Sequence, residues 1–277
     1  MSTAPGVHPL SPALGAEVLG ADIRRDEDAA AVQAAFSEHS VVVVRGQSLE
    51  PDEQIAFARR FGAINVNRFF KAMDSHPEVA LVIKEPDQKK AIGENWHTDH
   101  SYDEIPALGS VLYAVEAPPV GGDTMFASMA AAYDALSEGF RRTLDGLSAW
   151  HSSRHVFGPA RANTETGRDG RIGNTDAATQ DARHPVVITH PLSGRRCLYV
   201  NPTFTLRIDG WTDDESKALL DFLYAHCSRP EFCCRVRWSP GDLTIWDNRA
   251  TWHKAINDYH GHRRFMRRIT VEGVALT

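Results

Sequence analysis

The chain has 277 residues, 42% apolar and 24% charged, with a formal net charge of −6. That balance excludes a disordered polymer and allows one large domain over residues 1–277 with a substantial core. A mild acidic excess leaves no basic footprint, so no nucleic-acid partner is expected. Met1 to Gly20 holds no basic run followed by an apolar one, which predicts no secretory leader. No stretch approaches the ~20 apolar residues of a membrane helix, so no membrane partner is expected. Cys197, Cys227, Cys233 and Cys234 show neither C-x-x-C nor metal-finger spacing, which points to reduced thiols and a cytoplasmic location.

In chain order, the alanine-rich stretch Asp28 to Ser40 predicts a helix, and the β-branched run Val41 to Val44 a buried strand. Pro51, Asp52 and Glu53 open a helix expected to end at Phe61, before Gly62. Glu78 to Lys84 and Gly109 to Glu116 read as strands. Ser128 and Ser137 are placed to cap two successive helices, the first running from Met129 to Leu136. The polar stretch from Arg154 on is expected to be a lid or mobile loop, spanning 154–185. Thr212 to Glu215 fits a capping box for a helix running to Cys227. Val186 to Thr189, Arg196 to Val200, Cys233 to Trp238, Leu243 to Trp246 and Arg267 to Val271 complete the predicted strands. Many short strands with few strong helices predict a mainly β fold, closed or double-sheeted, with flanking helices.

Trp96-His97-Thr98-Asp99 carries the first chemical signal. In an extended chain, residues i and i+2 point the same way, so His97 and Asp99 can present an imidazole and a carboxylate to one point. A third ligand from elsewhere would complete the two-His-one-carboxylate face that leaves positions open on iron(II). Alone, H-x-D is also what a solvated histidine beside a turn-forming aspartate looks like. The second signal is Pro240 to Arg249, followed by His253, Arg264 and Arg268. Arginine grips a carboxylate through two charge-assisted hydrogen bonds. Positions four apart on a strand share a face, so the two arginines can line one pocket and serve two anions. The alternative is a solvated charge cluster over Arg263 to Arg268.

Together these segments resemble the taurine dioxygenase and 2,4-dichlorophenoxyacetate dioxygenase family of iron(II)- and 2-oxoglutarate-dependent enzymes. The matches are W-H-T-D at Trp96 to Asp99, G-G-D-T at Gly121 to Thr124, P-G-D-L-T-I-W-D-N-R-A-T at Pro240 to Thr251 with His253, and R-F-M-R-R at Arg264 to Arg268. The resemblance implies a double-stranded β-helix (jelly-roll, cupin-like) core. It implies His97, Asp99 and His253 as iron ligands, and Thr124 and Arg264 as the seat of the distal carboxylate of 2-oxoglutarate. Arg268 would receive the anionic group of the prime substrate, with Phe157, Phe204 and Trp246 as aromatic pocket walls. It implies hydroxylation with dioxygen, releasing succinate and CO2, and a homo-oligomer (dimer or tetramer). Two rivals differ in class: a silent jelly-roll binding protein, and a zinc hydrolase using the same three ligands. Neither accounts for the triad together with both arginines.

The family's taurine enzymes resemble an H-I-H-P pattern where this chain has Asn65-Val66-Asn67-Arg68-Phe69-Phe70-Lys71. Asn67 replaces a histidine expected on the sulfonate, and Phe70 a tyrosine, which points away from taurine. The same stretch looks more like the aryloxyalkanoate dioxygenases. Phenyl side chains are expected to pack on the substrate body, with Arg268 or Lys71 meeting its carboxylate. The expected substrate is a small organic acid with an apolar body. The alternative is taurine, another alkylsulfonate or an alkylsulfate, with release of sulfite or sulfate.

Overall fold

Four consecutive valines show how the main sheet is built. In Val41–Val44 the side chains alternate, so Val41 and Val43 enter one apolar cluster and Val42 and Val44 another. Burial on both faces explains the unbroken β-branched run, each valine stabilising the fold by about 1.5 kcal/mol. The computed structural model describes residues 5–277; residues 1–4, where the N-terminal reading and the single-domain span begin, lie outside it.

The main sheet places strands in the order Gly6–Pro9, Ala16–Leu19, Val41–Val44, Leu243–Asp247, Gly109–Glu116, Arg264–Val271, His76–Lys84 and Ala72–Met73, with Ile64–Asn65 also paired to Arg264–Val271. A smaller sheet orders Cys233–Val236, Thr124–Ser128 and Thr251–Ala255. Met266, Trp246 and Leu112 from the main sheet meet Phe126, Cys234 and Val236 from the smaller one. This is the jelly-roll core, two sheets packed face to face. The outer face of the main sheet is covered by the helices Asp26–His39 and Pro51–Ala58. Helices Met129–Asp134 and Asp213–Cys227 pack on the far side of the smaller sheet, against Ala127 and Trp252.

Local chemistry accounts for most boundaries. Ser128, Ser137 and Thr212 each accept a backbone N–H at a helix start, and Thr212 and Glu215 close a capping box. The helix opened by Pro51 stops at Ala58 rather than Phe61, the following residues forming a turn. Cys233 and Cys234 lie on opposite faces of their strand, Cys234 in the core and Cys233 half-buried.

Three expectations change. The 154–185 segment is not one loop: it carries the helices Arg154–Phe157 and Glu165–Arg168, two 3-10 turns and the strand Asp181–Pro185. The strand pairs with Ser148–Ser152, whose edge would otherwise be open. His97 and Asp99 do not sit on a strand; His97 makes one isolated bridge and Asp99 begins a turn. Thr124–Ser128 and Thr251–Ala255 are strands that composition did not suggest, because each is short and carries polar residues.

Candidate active site

The triad is assembled by backbone pairing. His97 N–H donates to His253 O at 3.1 Å, and His253 N–H donates back to His97 O at 2.8 Å. This bridge holds an irregular segment against the Thr251–Ala255 strand. Thr98 Oγ1 donates to Asn248 O and fixes the segment from its other face. Gly93, at φ +80°, passes close by, where an added Cβ would lie 3.2 Å from His97 Cε1. Gly93 O also accepts from Ala255 N.

Both imidazoles turn Nε2 toward Asp99. His97 Nε2 lies 3.7 Å from Asp99 Oδ1, and His253 Nε2 lies 3.5 Å from Asp99 Oδ2. The three donor atoms fall within 4.8 Å of one another, and all three residues are buried. His97 Nδ1 is 2.8 Å from Asn95 O, a bond that places the proton on Nδ1 and the lone pair on Nε2. Burial holds the pKa of both histidines below the ordinary range, so both are neutral and able to ligate. Burial opposes ionisation of Asp99, but the charge of Arg268 outweighs it and holds the carboxyl well below its usual range. A neutral pair of imidazoles with one carboxylate is the donor set of a mononuclear iron(II) site. Trp246 and Phe126 brace His253, Trp246 at 4.7 Å between ring centroids.

Arg264, Met266 and Arg268 alternate inward along Arg264–Val271, whereas Ile269 and Val271 face the outer core. The shared face of the two arginines is therefore real, and both are buried rather than solvated. Arg264 Nε donates to Gly122 O at 3.1 Å, and its guanidinium lies 5.7 Å from the Trp238 ring. Gly122 has φ +70°, the left-handed geometry that aims this carbonyl. No ion pair forms at Arg264 among the described residues, and burial pulls its pKa below the ordinary value. Such a buried, uncompensated cation is a seat for an anion. Thr124 lines the same cavity, and its Oγ1 accepts from Trp238 Nε1 at 3.0 Å, leaving the hydroxyl proton free to donate.

Two cavities meet at the triad. The smaller is lined by Thr124, Trp246, His253, Arg264 and Arg268. The larger, about 310 Å³, is lined by His97 and Asp99 and by Asn67, Phe70, Phe157 and Phe204. His97, Phe70, Ile92 and Gly93 border both. Phe157 stacks on Phe69 at 4.3 Å and meets Phe204 at 5.8 Å, giving the larger cavity an aromatic wall.

Three sequence expectations shift in detail. Trp246 belongs to the smaller cavity beside His253, because it faces inward from the strand next to Gly109–Glu116. Lys71 is exposed and lines neither cavity; it follows the inward Phe70, so its side chain takes the opposite face. Asn67 lines the larger cavity, but its Oδ1 already accepts from Phe69 N and Phe70 N, both at 2.9 Å, and shapes a turn. Sequence reasoning missed Tyr102, His100 and Arg161, which also line the larger cavity. No periodic or spacing signal marks them, since turns and short helices deliver them.

Residues 6–270 match the family described as taurine catabolism dioxygenase TauD, TfdA family. The chain belongs to the TauD/TfdA dioxygenase family. An alpha-ketoglutarate-dependent sulfate ester dioxygenase of Pseudomonas putida is 36% identical over 272 residues, 96% of this chain and 89% of that one. An alpha-ketoglutarate-dependent 2,4-dichlorophenoxyacetate dioxygenase of Burkholderia sp. (strain RASC) is 35% identical over 261 residues, 87% of this chain and 84% of that one. The crystal structure of a taurine dioxygenase from Burkholderia xenovorans superposes with a TM-score of 0.82 at 34% identity, covering 99% of this chain and 93% of that one. As a TauD/TfdA enzyme, the chain is a 2-oxoglutarate-dependent dioxygenase, and the family's cofactor set is iron(II), 2-oxoglutarate and dioxygen. Among the described residues, no helix is long and apolar enough to cross a membrane.

Proposed function

We propose that this dioxygenase hydroxylates a small anionic organic acid with an apolar body, of the aryloxyalkanoate kind. The observation that carries the reading is the buried triad His97, Asp99 and His253 at the inner end of an aromatic-lined cavity. These three residues hold iron(II). When bound, the ion with 2-oxoglutarate and dioxygen supplies the oxidant that turns a substrate C–H into C–OH, with succinate and CO2 released.

The chain's own residues do the rest. Neutral Nε2 atoms of His97 and His253, with the Asp99 carboxylate, would hold the ion. Arg264 and Thr124 hold the distal carboxylate of 2-oxoglutarate, Arg264 through a charge-assisted fork and Thr124 through its hydroxyl. Phe70, Phe157 and Phe204 pack on the apolar body and keep water from the reacting carbon. Arg268 receives the acid's anionic group. A hydroxyl placed beside an ether oxygen makes the product fall apart to an alcohol and an oxo acid.

A second reading, sulfate esters or sulfonates, is favoured by the identity to the sulfate ester dioxygenase of Pseudomonas putida. Both readings need an oxyanion on an apolar body. A panel of phenoxyacetate, 2-phenoxypropanoate, hexyl sulfate and taurine, assayed by succinate release with iron(II), tests them. Phenol release from the phenoxy acids supports the first reading; sulfate release from hexyl sulfate with the phenoxy acids silent supports the second. Sulfite release from taurine alone overturns the first reading and narrows the second to sulfonates.

A homo-oligomer, dimer or tetramer, and a cytoplasmic location belong to the same proposal. All four cysteines are unpaired, as suits a reducing compartment. Light scattering checks the assembly. The 154–185 segment is the lid over the larger cavity, to which it contributes Val156, Phe157, Arg161 and Ile172.

A further inference from the structure

Among the described arginine, lysine and glutamate side chains that line the larger cavity, one stands without a counter-ion. The two lining glutamates are already engaged. Glu165 Oε1 accepts from Lys89 N and Lys90 N and lies 3.6 Å from Arg171 Nη2. Glu94 Oε1 accepts from Ala91 N and Asn257 Nδ2, and Glu94 Oε2 lies 3.6 Å from Lys90 Nζ. Arg171, on the same segment as Glu165, is held by Asp169 at 2.7 Å. Arg161 differs from all of these. Among the described residues no carboxylate lies within ion-pair reach of it, and its Nε is buried without an acceptor.

The position of Arg161 is as informative as its charge. Arg161, Val156, Thr164, Asn95 and Thr203 border both the larger cavity and an outer groove, and no triad residue borders that groove. Arg161 therefore stands at the outer boundary, whereas His97 and Asp99 line the inner end. Between the two ends the wall is apolar, from Tyr102, Phe157, Ile172 and Phe204. Arg161 is half-buried, with its Nε shut off from solvent; a guanidinium so placed without a counter-ion is costly, and its planar fork matches a carboxylate or sulfate.

We infer that Arg161 is a specificity-determining residue that grips a second oxyanion of the prime substrate, so that the preferred substrate is a dianion with an apolar middle. This rests on the reading that Arg268 receives the first anion. The C–H bond attacked then lies toward the Arg268 end, and the outer anion holds the molecule in line with it.

The test compares matched pairs: phenoxyacetate with 4-carboxyphenoxyacetate, and hexyl sulfate with hexane-1,6-diyl disulfate. Succinate release gives kcat/KM for wild type, Arg161→Gln and Arg161→Lys. Calorimetry on the anaerobic iron(II)–2-oxoglutarate holoenzyme gives binding of the same four compounds. In wild type the dianion of at least one pair is preferred by roughly 10- to 100-fold. Arg161→Gln brings that ratio close to one, and Arg161→Lys keeps part of it. Because the readout is a ratio within one protein sample, a general loss of folding does not imitate it. Dianion binding that Arg161→Gln weakens tenfold or more, without turnover, upholds the grip and overturns the reaction proposed for these compounds. Turnover with the same ratio in wild type and Arg161→Gln overturns the grip and leaves that reaction standing. Failure of both dianions to bind or turn over overturns the inference.

Discussion

Arg268 Nη2 lies 2.8 Å from Asp99 Oδ2, so the residue assigned to the substrate anion sits directly on a metal ligand. The contact is close without being an aligned hydrogen bond, since Nη2 lacks one and Nε donates instead to Ser110 Oγ at 3.1 Å. Ser110 in turn reaches the same Asp99 oxygen at 3.5 Å. A divalent ion and Arg268 therefore compete for one buried carboxylate charge. An ion held by Asp99 would relax its hold on Arg268 and leave that guanidinium available to the substrate anion proposed for it.

Arg268→Ala leaves Asp99 buried and uncompensated in the metal-free protein. Loss of about 3 kcal/mol is expected. Melting curves should drop by roughly 5–10 °C in the metal-free form. Saturating Mn(II) should restore more stability to the variant than to wild type. Equal metal-induced shifts in both proteins would contradict the competition.

Arg264→Ala removes one of the two arginines of the smaller cavity while leaving the triad in place. The KM for 2-oxoglutarate should rise by roughly 100-fold, the worth of a charge-assisted pair. Thr124→Val should raise it by less, because only one neutral donor is lost. Steady-state succinate assays with varied 2-oxoglutarate decide the matter. An Arg264→Ala effect confined to the prime substrate would reverse the assignment of the two arginines.

Asp247 anchors the turn that precedes His253. It accepts from Arg249 Nε at 2.9 Å and Arg249 Nη2 at 2.6 Å, with His190 Nε2 at 3.0 Å. Burial works against the charge, but these bonds win and depress the carboxyl to about 2. A carboxyl of depressed pKa stabilises the fold fully above its unfolded value, about 3.9, and loses that contribution as pH falls through the folded value. The contribution is about 2 kcal/mol. Urea unfolding between pH 5 and pH 2 should show it disappearing in wild type. Asp247→Asn should be less stable at pH 5 and show a shallower slope over that interval; an unchanged slope would count against the role.

Gly93→Ala places a Cβ at positive φ and 3.2 Å from His97 Cε1. Backbone strain of about 1 kcal/mol is expected, with His97 pushed off its position. Iron retained after gel filtration should fall clearly below wild type while the melting temperature drops only a few degrees. Full iron content would show that the ring tolerates the intrusion.

The sequence made legible the parts of the fold that carry a strong local signal. Val41–Val44 announces a strand buried on both faces, and Thr212 with Glu215 announces a helix start, because each is decided by neighbours in the chain. His97, Asp99, His253, Thr124, Arg264 and Arg268 were singled out by motifs that resemble the family's in order, and the fold gathers the first three together and sets the other three around one cavity. The pairing of Thr251–Ala255 with Thr124–Ser128 was not, since it is fixed by partners far away in sequence. The helices within 154–185, a segment expected as a lid or mobile loop, escaped for a local reason: each is a single turn, too short for periodicity to show. Lys71 was misplaced because a motif gives a residue's position along the chain and not the face it takes.

Anaerobic titration of the metal-free enzyme with iron(II) in the presence of 2-oxoglutarate tests the central claim most directly. The predicted result is a weak visible charge-transfer band that saturates at one iron per chain, is lost in His97→Ala, Asp99→Ala and His253→Ala, and needs far more 2-oxoglutarate in Arg264→Ala. A band of wild-type strength in His253→Ala would contradict the account.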